Sequence, residues 1–276
     1  MIFLQATTES SPAFDTFIWF LLSTVLLIVL AASGKIQLGF KVPGFPTPLP
    51  RSRKKILSTL FSYYAGLDEK EKRKFEQKVQ EFIMRKQFIP RNIPQVSEEM
   101  KVLIAACAVQ LTFGLPGVFL RHFKRILIYP DDYYSTINRQ YHKGEVNPRL
   151  RAIVLSWKGF LEGYVNPTDG INLGLHEMTH ALHLENVIEN DEFHFFNSDV
   201  LKKWREMAQI EMQKIAADPN HFFRKYASTS RHEFLAVAVE NFFEKSAEFS
   251  EALPQLYTVL TLLLNQDPLK NQHAKA

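Results

Sequence analysis

The chain has 276 residues, of which 46% are hydrophobic and 22% are charged, close to the average of globular proteins, so a wholly disordered chain is excluded. A single cysteine excludes a disulfide framework and a zinc cage built from cysteines, and it is typical of a reducing compartment. The formal net charge of +4 is small for a nucleic-acid-binding surface, so we expect no nucleic-acid partner.

The first element in chain order is an apolar segment without a charged residue, residues 16–34. Its length of about 17 to 19 residues lies at the short end of what crosses a hydrocarbon core of about 30 Å. We therefore predict a transmembrane helix at residues 16–34, preceded by a short external tail, residues 1–15. A cleaved secretory signal is the alternative, although the preceding tail carries Glu9 and Asp15 and no basic residue.

Basic residues follow the apolar segment and predict its orientation. Because lysine and arginine are retained on the cytoplasmic side of a membrane, the large domain is expected in the cytoplasm. The sequence thus predicts a single-pass protein of the bacterial inner membrane that contacts the lipid bilayer through residues 16–34. The run RSRKK, residues 51–55, either contacts anionic headgroups or begins a solvated helix.

Proline content places the boundary of the main domain. Residues 42–50 contain four prolines, which fix φ and remove backbone donors, so this stretch is expected to be an extended spacer. We assign residues 35–55 to a proline-rich basic linker and residues 56–270 to one domain. Residues 271–276 form a short tail.

Hydrophobic periodicity predicts two helices in the first half of this domain. Asp68 is expected to cap a charged helix that ends near Lys86, with one apolar face. Ser97 precedes a second helix that is apolar on nearly all sides and is therefore predicted to be buried. Its Cys107 is interpreted as inert packing.

Two segments rich in β-branched residues, Arg125–Tyr129 and Ala152–Trp157, are predicted to be strands. Most of the chain after Gly174 has the pattern of helices. Two strands among many helices favour an α+β fold, mainly helical with a small sheet, over alternating βαβ units.

The strongest chemical signal is the motif His176-Glu177-Met178-Thr179-His180. In a helix, residues four apart share a face, so both imidazoles can bind one zinc ion at about 2.0–2.1 Å. Glu177 is turned by about 100° from His176 and suits a general base that deprotonates water. His183 is either a spare ligand or, as we prefer, a histidine that faces the substrate or the solvent. The motif alone is also compatible with a surface helix that binds nothing.

Catalytic zinc usually has a third protein ligand and one open position. Four acidic residues follow the motif closely: Glu185, Glu189, Asp191 and Glu192. The other candidate is Glu233, in the segment YASTSRHEFLAVAVENFFE at residues 226–244. Ser230 and Glu233 have the spacing of a capping box, which is the purely structural interpretation. Alternatively, Glu233 binds the metal and Glu240, on the same apolar face, orients a ligand histidine.

The order and spacing of these motifs resemble the MtfA peptidases, a family of bacterial zinc metallopeptidases. The resemblance covers about residues 67–268. It depends mainly on DGINLGLHEMTHALH at residues 169–183 and on residues 226–244. The chain departs from the family pattern at His183, where the family has an aspartate, and at residues 231–232, where Arg-His replaces Pro-Ala.

The resemblance implies the fold of an HExxH-plus-Glu peptidase with aminopeptidase-like activity on peptides. It implies one catalytic zinc ion held by His176, His180 and Glu233, with Glu177 as the catalytic base. It also implies that Tyr226 steadies a tetrahedral intermediate. A transcriptional regulator is implied as a partner by analogy with the family name.

The resulting hypothesis is a membrane-anchored zinc peptidase whose peptide substrate pairs with the strand at residues 152–157. The rival hypothesis is a membrane-tethered protein that binds a regulator and whose zinc site is structural or vestigial. A closed site of four protein ligands, for instance with His183, would favour the rival. Three protein ligands and a water would favour the enzyme.

Overall fold

A computed structural model of the chain describes residues 12–32, 48–115, 117–135, 140–188 and 195–273. The chain divides into two compact units, Met1–Pro50 and Arg51–Ala276. In the first unit, helix α1 (Pro12–Ala32) carries large exposed apolar side chains, among them Trp19 and Phe20. Of the predicted proline-rich spacer, residues 42–47 lie outside the described residues, and residues 48–50 have no regular structure.

The predicted transmembrane helix is not supported. In the part of the chain that the structure describes, no helix combines the length and the hydropathy that a bilayer span requires. Of the predicted span, residues 16–32 lie in helix α1, and residues 33 and 34 lie outside the described residues.

The second unit contains most of the secondary structure. Its helices are α2 (Arg51–Leu60), α3 (Ser62–Ala65), α4 (Glu69–Arg85), α5 (Glu98–Thr112), α6 (Trp157–Val165), α7 (Leu173–Ile188), α8 (Ser198–Ala217), α9 (Arg231–Glu244), α10 (Ser246–Ala252), α11 (Pro254–Leu264) and α12 (Pro268–His273), with a 3-10 turn at Lys225–Ser228. Its strands are β1 (Gln87–Pro90), β2 (Arg125–Tyr129), β3 (Tyr133–Ser135), β4 (Gln140–His142), β5 (Gly144–Asn147) and β6 (Ala152–Ser156). This mainly helical architecture with a small sheet agrees with the predicted α+β class.

The two helices predicted in the first half of the domain are confirmed with their caps. Asp68 accepts a hydrogen bond from the Glu71 amide at 2.7 Å, and Glu71 accepts one from the Asp68 amide at 3.1 Å, which completes a capping box before α4. Ser97 accepts from the Met100 amide at 3.1 Å and begins α5. Helix α5 is buried on all sides from Val102 to Thr112, as its apolar sequence predicts, and Cys107 is fully buried.

The basic run at residues 51–55 forms the first turns of α2, a helix that packs against α5. Arg53 donates to Glu98 at 2.7 Å and to Gln80 at 2.8 Å. Lys54 pairs with Glu76 at 2.9 Å. The structure therefore places two of these basic side chains in contacts within the domain, in agreement with a helix start.

The main sheet has the strand order β1-β2-β6-β5. Strands β1, β2 and β6 are parallel, and β5 joins the edge antiparallel to β6. Strands β1 and β2, with α5 between them, form a single βαβ unit, which the sequence did not predict. Strand β1 is only four residues long and ends at Pro90, so its sequence gives no period-2 signal.

The second predicted strand is one residue shorter than expected and is not at the edge of the sheet. Strand β6 pairs with β2 on one side and with β5 on the other. It ends at Ser156 because the Ser156 hydroxyl accepts from the Gly159 amide at 3.0 Å and caps α6, so Trp157 is helical. The strand that covers β6 at this edge of the sheet is β5, whose short polar sequence does not predict a strand.

Two buried charged side chains, Lys86 at the end of α4 and Glu185 on α7, bind the backbone of the loop before β2. The Lys86 ammonium donates to the carbonyls of Leu120 and of Phe123, the latter at 2.7 Å. From the other side, the Glu185 carboxylate accepts from the backbone amides of Arg121 and of His122, the latter at 2.9 Å. Because both side chains are buried, they satisfy backbone groups that water does not reach.

Candidate metal centre and catalytic residues

Helix α7 presents two histidines on one partly exposed face. Asn172 begins the helix by accepting from the Leu175 amide at 3.0 Å. Leu175 and Leu182 are buried and hold the helix against the core. His176 and His180 lie one turn apart, with their Nε2 atoms 3.0 Å from each other. The helical spacing in the sequence therefore predicted this pair correctly.

Helix α9 brings Glu233 to the same point. The Ser230 hydroxyl accepts from the Glu233 amide at 3.2 Å and caps α9. The Glu233 side chain does not close a capping box. Its Oε2 atom instead lies 3.0 Å from Nε2 of His176 and 3.5 Å from Nε2 of His180. The structure therefore favours the metal-binding interpretation of Glu233 over the purely structural one.

The three side chains have the geometry and the chemistry of a divalent metal site. Their ligand atoms lie within 4.8 Å of one another. Zinc bonds of about 2.0–2.1 Å at the tetrahedral angle would place neighbouring ligand atoms about 3.3 Å apart, and the three observed separations lie on both sides of that value. Oε2 of Glu233 is buried and accepts no aligned hydrogen bond among the described residues. A cation between the three groups would satisfy it.

The electrostatics of the cluster also favour a cation. Burial alone would lower the pKa of His176, but the carboxylates of Glu233 and Glu240 outweigh it and raise this pKa to about 10. Burial raises the pKa of Glu233, yet the adjacent imidazoles of His176 and His180 leave it well below its usual range. Both shifts show that the cluster favours positive charge, which a bound cation would supply.

Glu240 positions His176 from the side opposite Glu233. Its Oε1 atom lies 2.8 Å from Nδ1 of His176, which is the contact expected from the sequence. The Glu240 carboxylate is buried and also accepts from Arg224 at 2.8 Å and from the Asn172 amide at 2.7 Å. These donors stabilise its charge away from water, so Glu240 can hold the His176 ring in one orientation and one tautomer.

Glu177 is buried beside this cluster and close to strand β5. Burial raises its pKa to about 7, although His176 and His180 oppose the rise. A carboxyl group with a pKa near neutrality suits general acid–base chemistry. Gly144 lies directly against it, because a Cβ atom at residue 144 would be only 2.5 Å from Oε1 of Glu177.

Sequence reasoning missed Gly144, Arg224 and Asn172. A glycine inside a short strand can indicate a close approach of another group, and this was the available signal for Gly144. Arg224 belongs to no motif, and Asn172 lies in the motif at residues 169–183 but gave no signal for a contact with Glu240. Their contact with Glu240 depends on how the loop at residues 166–172 packs against α9.

A cleft of about 400 Å³ opens beside the cluster. His176, Glu177 and Tyr226 line one part of it, and Glu162 and Asp169 line another. The Tyr226 ring lies 6.1 Å from the His176 ring and is half exposed. Its phenol therefore faces the site, and its predicted role in catalysis stays a prediction.

Two other sequence candidates, His183 and Glu185, do not join the cluster. His183 packs against His232 instead, with ring centroids 4.6 Å apart. Glu185 is buried and binds the backbone amides of residues 121 and 122. The remaining candidates, Glu189, Asp191 and Glu192, lie outside the described residues.

Comparisons with known proteins support this chemistry. The sequence profile of the glucose-regulated metallopeptidase family M90 matches residues 45–264. The chain is 28% identical over 242 residues to the uncharacterised protein slr2042 of Synechocystis sp., which covers 82% of this chain and 88% of that protein. It is 25% identical over 227 residues to Mlc titration factor A of Edwardsiella ictaluri, which covers 75% of this chain and 84% of that protein. These matches confirm the resemblance to the MtfA peptidases.

Proposed function

This chain belongs to the M90 family of metallopeptidases, and on that basis we propose that it is a zinc-dependent peptidase with aminopeptidase-like specificity. The observation that carries the proposal is the convergence of His176, His180 and Glu233 beside a buried Glu177. These three side chains would hold the zinc ion, and they leave a position for water or substrate.

The mechanism assigns a role to each side chain at the site. When bound, zinc would polarise the scissile carbonyl and make water more acidic. Glu177 accepts a proton from the attacking water and delivers it to the leaving amine, and a pKa near 7 suits both transfers. Glu240 keeps the His176 ring oriented.

Tyr226 is proposed to donate a hydrogen bond to the developing oxyanion. Burial and the nearby Glu233 carboxylate raise its pKa to about 12, so the phenol keeps its proton at neutral pH. The ring faces the cluster beside His176. A neutral phenol in this position stabilises negative charge that develops on the carbonyl oxygen.

Strand β5 is proposed to hold the peptide substrate in place of β6, which is paired on both sides. The edge of a sheet can pair with an extended peptide through main-chain hydrogen bonds. Gly144 begins β5 in contact with Glu177, so a peptide on this edge would lie beside the base.

Two acidic residues of the cleft, Glu162 and Asp169, are candidates for recognition of a free amino end. Glu162 is paired with Lys143 at 3.0 Å. Asp169 lines the same cleft and accepts from the Ile171 amide at 2.9 Å, but among the described residues it has no ionic partner. Its carboxylate could therefore pair with the ammonium group of a peptide N-terminus.

The decisive test is the isosteric substitution Glu177→Gln, which removes the base and keeps its size. We expect zinc content close to that of wild type and no measurable cleavage of amino-acid p-nitroanilides or short fluorogenic peptides. Glu251→Gln, an exposed change on α10, is the matched control and should leave turnover unchanged. Retained turnover in Glu177→Gln would remove Glu177 from its role.

Regulator binding is the second candidate function, favoured by the similarity to Mlc titration factor A. In this hypothesis the metal site is structural and hydrolysis is incidental. His183 would be the natural fourth ligand of a closed site, but its ring contacts His232 instead. Co-purification of a transcriptional regulator with the inactive Glu177→Gln protein would support this function.

The predicted inner-membrane localisation stays a prediction. Fractionation of cells that express the full chain, with immunodetection in the membrane and soluble fractions, tests it directly. Recovery in the soluble fraction would contradict it.

A further inference from the structure

A second pair of histidines lies next to the proposed zinc site. His183 is on α7, one turn beyond His180, and His232 is on α9, directly before Glu233. Their ring centroids are 4.6 Å apart and their planes are inclined by 59°. The centroids of His176 and His180, the two proposed zinc ligands, are also 4.6 Å apart. The second pair therefore has the separation of the first.

The nitrogen atoms of this second pair are available for a ligand. Neither ring makes a hydrogen bond within the part of the chain that the structure describes. His232 is exposed and His183 is partly exposed, so water and small ions can reach them. Burial, together with His232 and Arg205, lowers the pKa of His183 to about 4, so this imidazole is neutral at neutral pH.

We propose that His183 and His232 bind a second divalent transition-metal ion, distinct from the ion at His176, His180 and Glu233. Neutral imidazoles are good ligands for zinc, nickel and copper. Two protein ligands leave the remaining positions to water, so this ion exchanges readily. The proposal concerns metal binding and does not depend on peptide hydrolysis.

The charges around the two sites predict which site binds metal more tightly. The first site contains the Glu233 carboxylate and lies beside Glu177 and Glu240. The second site is built from two imidazoles without a carboxylate ligand, and the positive charge of Arg205 acts on His183. The first equivalent of metal therefore binds to the first site, and the second equivalent binds more weakly to the histidine pair.

Occupancy of the second site would connect α7 to α9. These two helices carry all three ligands of the first site. A ligand that binds only the folded state raises the melting temperature as its concentration increases. The second ion should therefore stabilise the zinc-loaded protein further.

The experiment uses the full chain already loaded with one equivalent of zinc. Additional Zn²⁺ or Ni²⁺ is titrated by isothermal calorimetry, and Tm is followed in parallel. We expect wild type to bind a second, weaker equivalent with a rise in Tm. His183→Ala and His232→Ala should each lose this second equivalent and the rise in Tm while keeping the first equivalent. Arg231→Ala, an exposed neighbour on α9, should behave as wild type.

Two results would overturn the proposal. One is the absence of a second equivalent in wild type. The other is a second equivalent that persists in both histidine variants, which would assign it to other groups. Because His232 is exposed, His232→Ala keeps the test valid even if His183→Ala fails to fold. If wild type instead failed to take up the first equivalent of zinc during loading, that result would contradict the proposed zinc peptidase.

Discussion

A methyl group at residue 144 would show whether the exact position of the Glu177 carboxylate controls turnover. In Gly144→Ala, the new Cβ would lie 2.5 Å from Oε1 and 2.6 Å from Cγ of Glu177. Nonbonded carbon atoms normally stay about 3.5–4.0 Å apart. The Glu177 side chain must therefore move by about 1 Å, or β5 must move away from α7.

A displacement of this size predicts a large kinetic effect. A misplacement of about 1 Å in a catalytic group can reduce the rate by about 10²-fold, or about 2.7 kcal/mol of transition-state stabilisation. The added volume also costs about 1–3 kcal/mol of folding free energy because the site is closely packed. The three atoms nearest to the new Cβ all belong to Glu177 and none to a proposed metal ligand, so we expect zinc content to stay unchanged.

The assay compares kcat/KM for an amino-acid p-nitroanilide, zinc content and Tm in wild type and Gly144→Ala. Gly159→Ala is the matched control, since it is the same substitution in the same cleft. Its Cβ would meet the end of the flexible Leu173 side chain at 3.0 Å, which can move. If Gly144→Ala retained the turnover of wild type, the carboxylate position would not limit the reaction and the reasoning would be refuted.

Three further substitutions test a residue that contacts a proposed ligand, a buried lysine of the core and the cap of α9. Glu240→Gln removes the charge beside His176, and we expect zinc affinity to fall by about 10–100-fold in chelator competition; unchanged affinity would contradict the positioning role. Lys86→Met removes an ammonium group whose pKa burial lowers from 10.5 to about 7. The unfolded chain binds that proton more tightly than the folded protein does. The free energy of unfolding of wild type, relative to that of Lys86→Met, should therefore rise between about pH 7 and pH 10.5 in urea unfolding. A difference that does not change with pH would contradict a lowered pKa for Lys86. Ser230→Ala removes the cap of α9 and should lower stability by about 1 kcal/mol in the same assay, whereas an unchanged urea midpoint would exclude a stabilising cap.

Local patterns in the sequence were sufficient for part of the fold. Asp68 and Ser97 predicted the starts of α4 and α5, because a cap requires only the amides of the next three residues. The strands at Arg125–Tyr129 and Ala152–Ser156 were identified by their β-branched residues. Strand β5 could not be identified, because its four residues become a strand only through pairing with β6.

The candidate site, like the fold, was predicted in part from local sequence and depends in part on tertiary packing. Spacing alone placed His176 and His180 on one helical face, since the 3.6-residue period is a property of the chain itself. Spacing alone left Glu233 undecided between a capping residue and a metal ligand, although the family resemblance implied a ligand. Packing of α9 against α7 decided it, because only that contact directs the carboxylate toward the two imidazoles.

The sequence by itself determined which residues are capable of the chemistry: two imidazoles one turn apart, an adjacent carboxylate and a set of acidic candidates for the third ligand. The tertiary structure brings Glu233 to the two imidazoles, as the family resemblance implied. It alone showed that Gly144 lies against Glu177 and that the histidines at 183 and 232 meet. The reason is physical. Helical periodicity fixes neighbours within a few residues, whereas contacts between distant segments depend on how buried faces pack together.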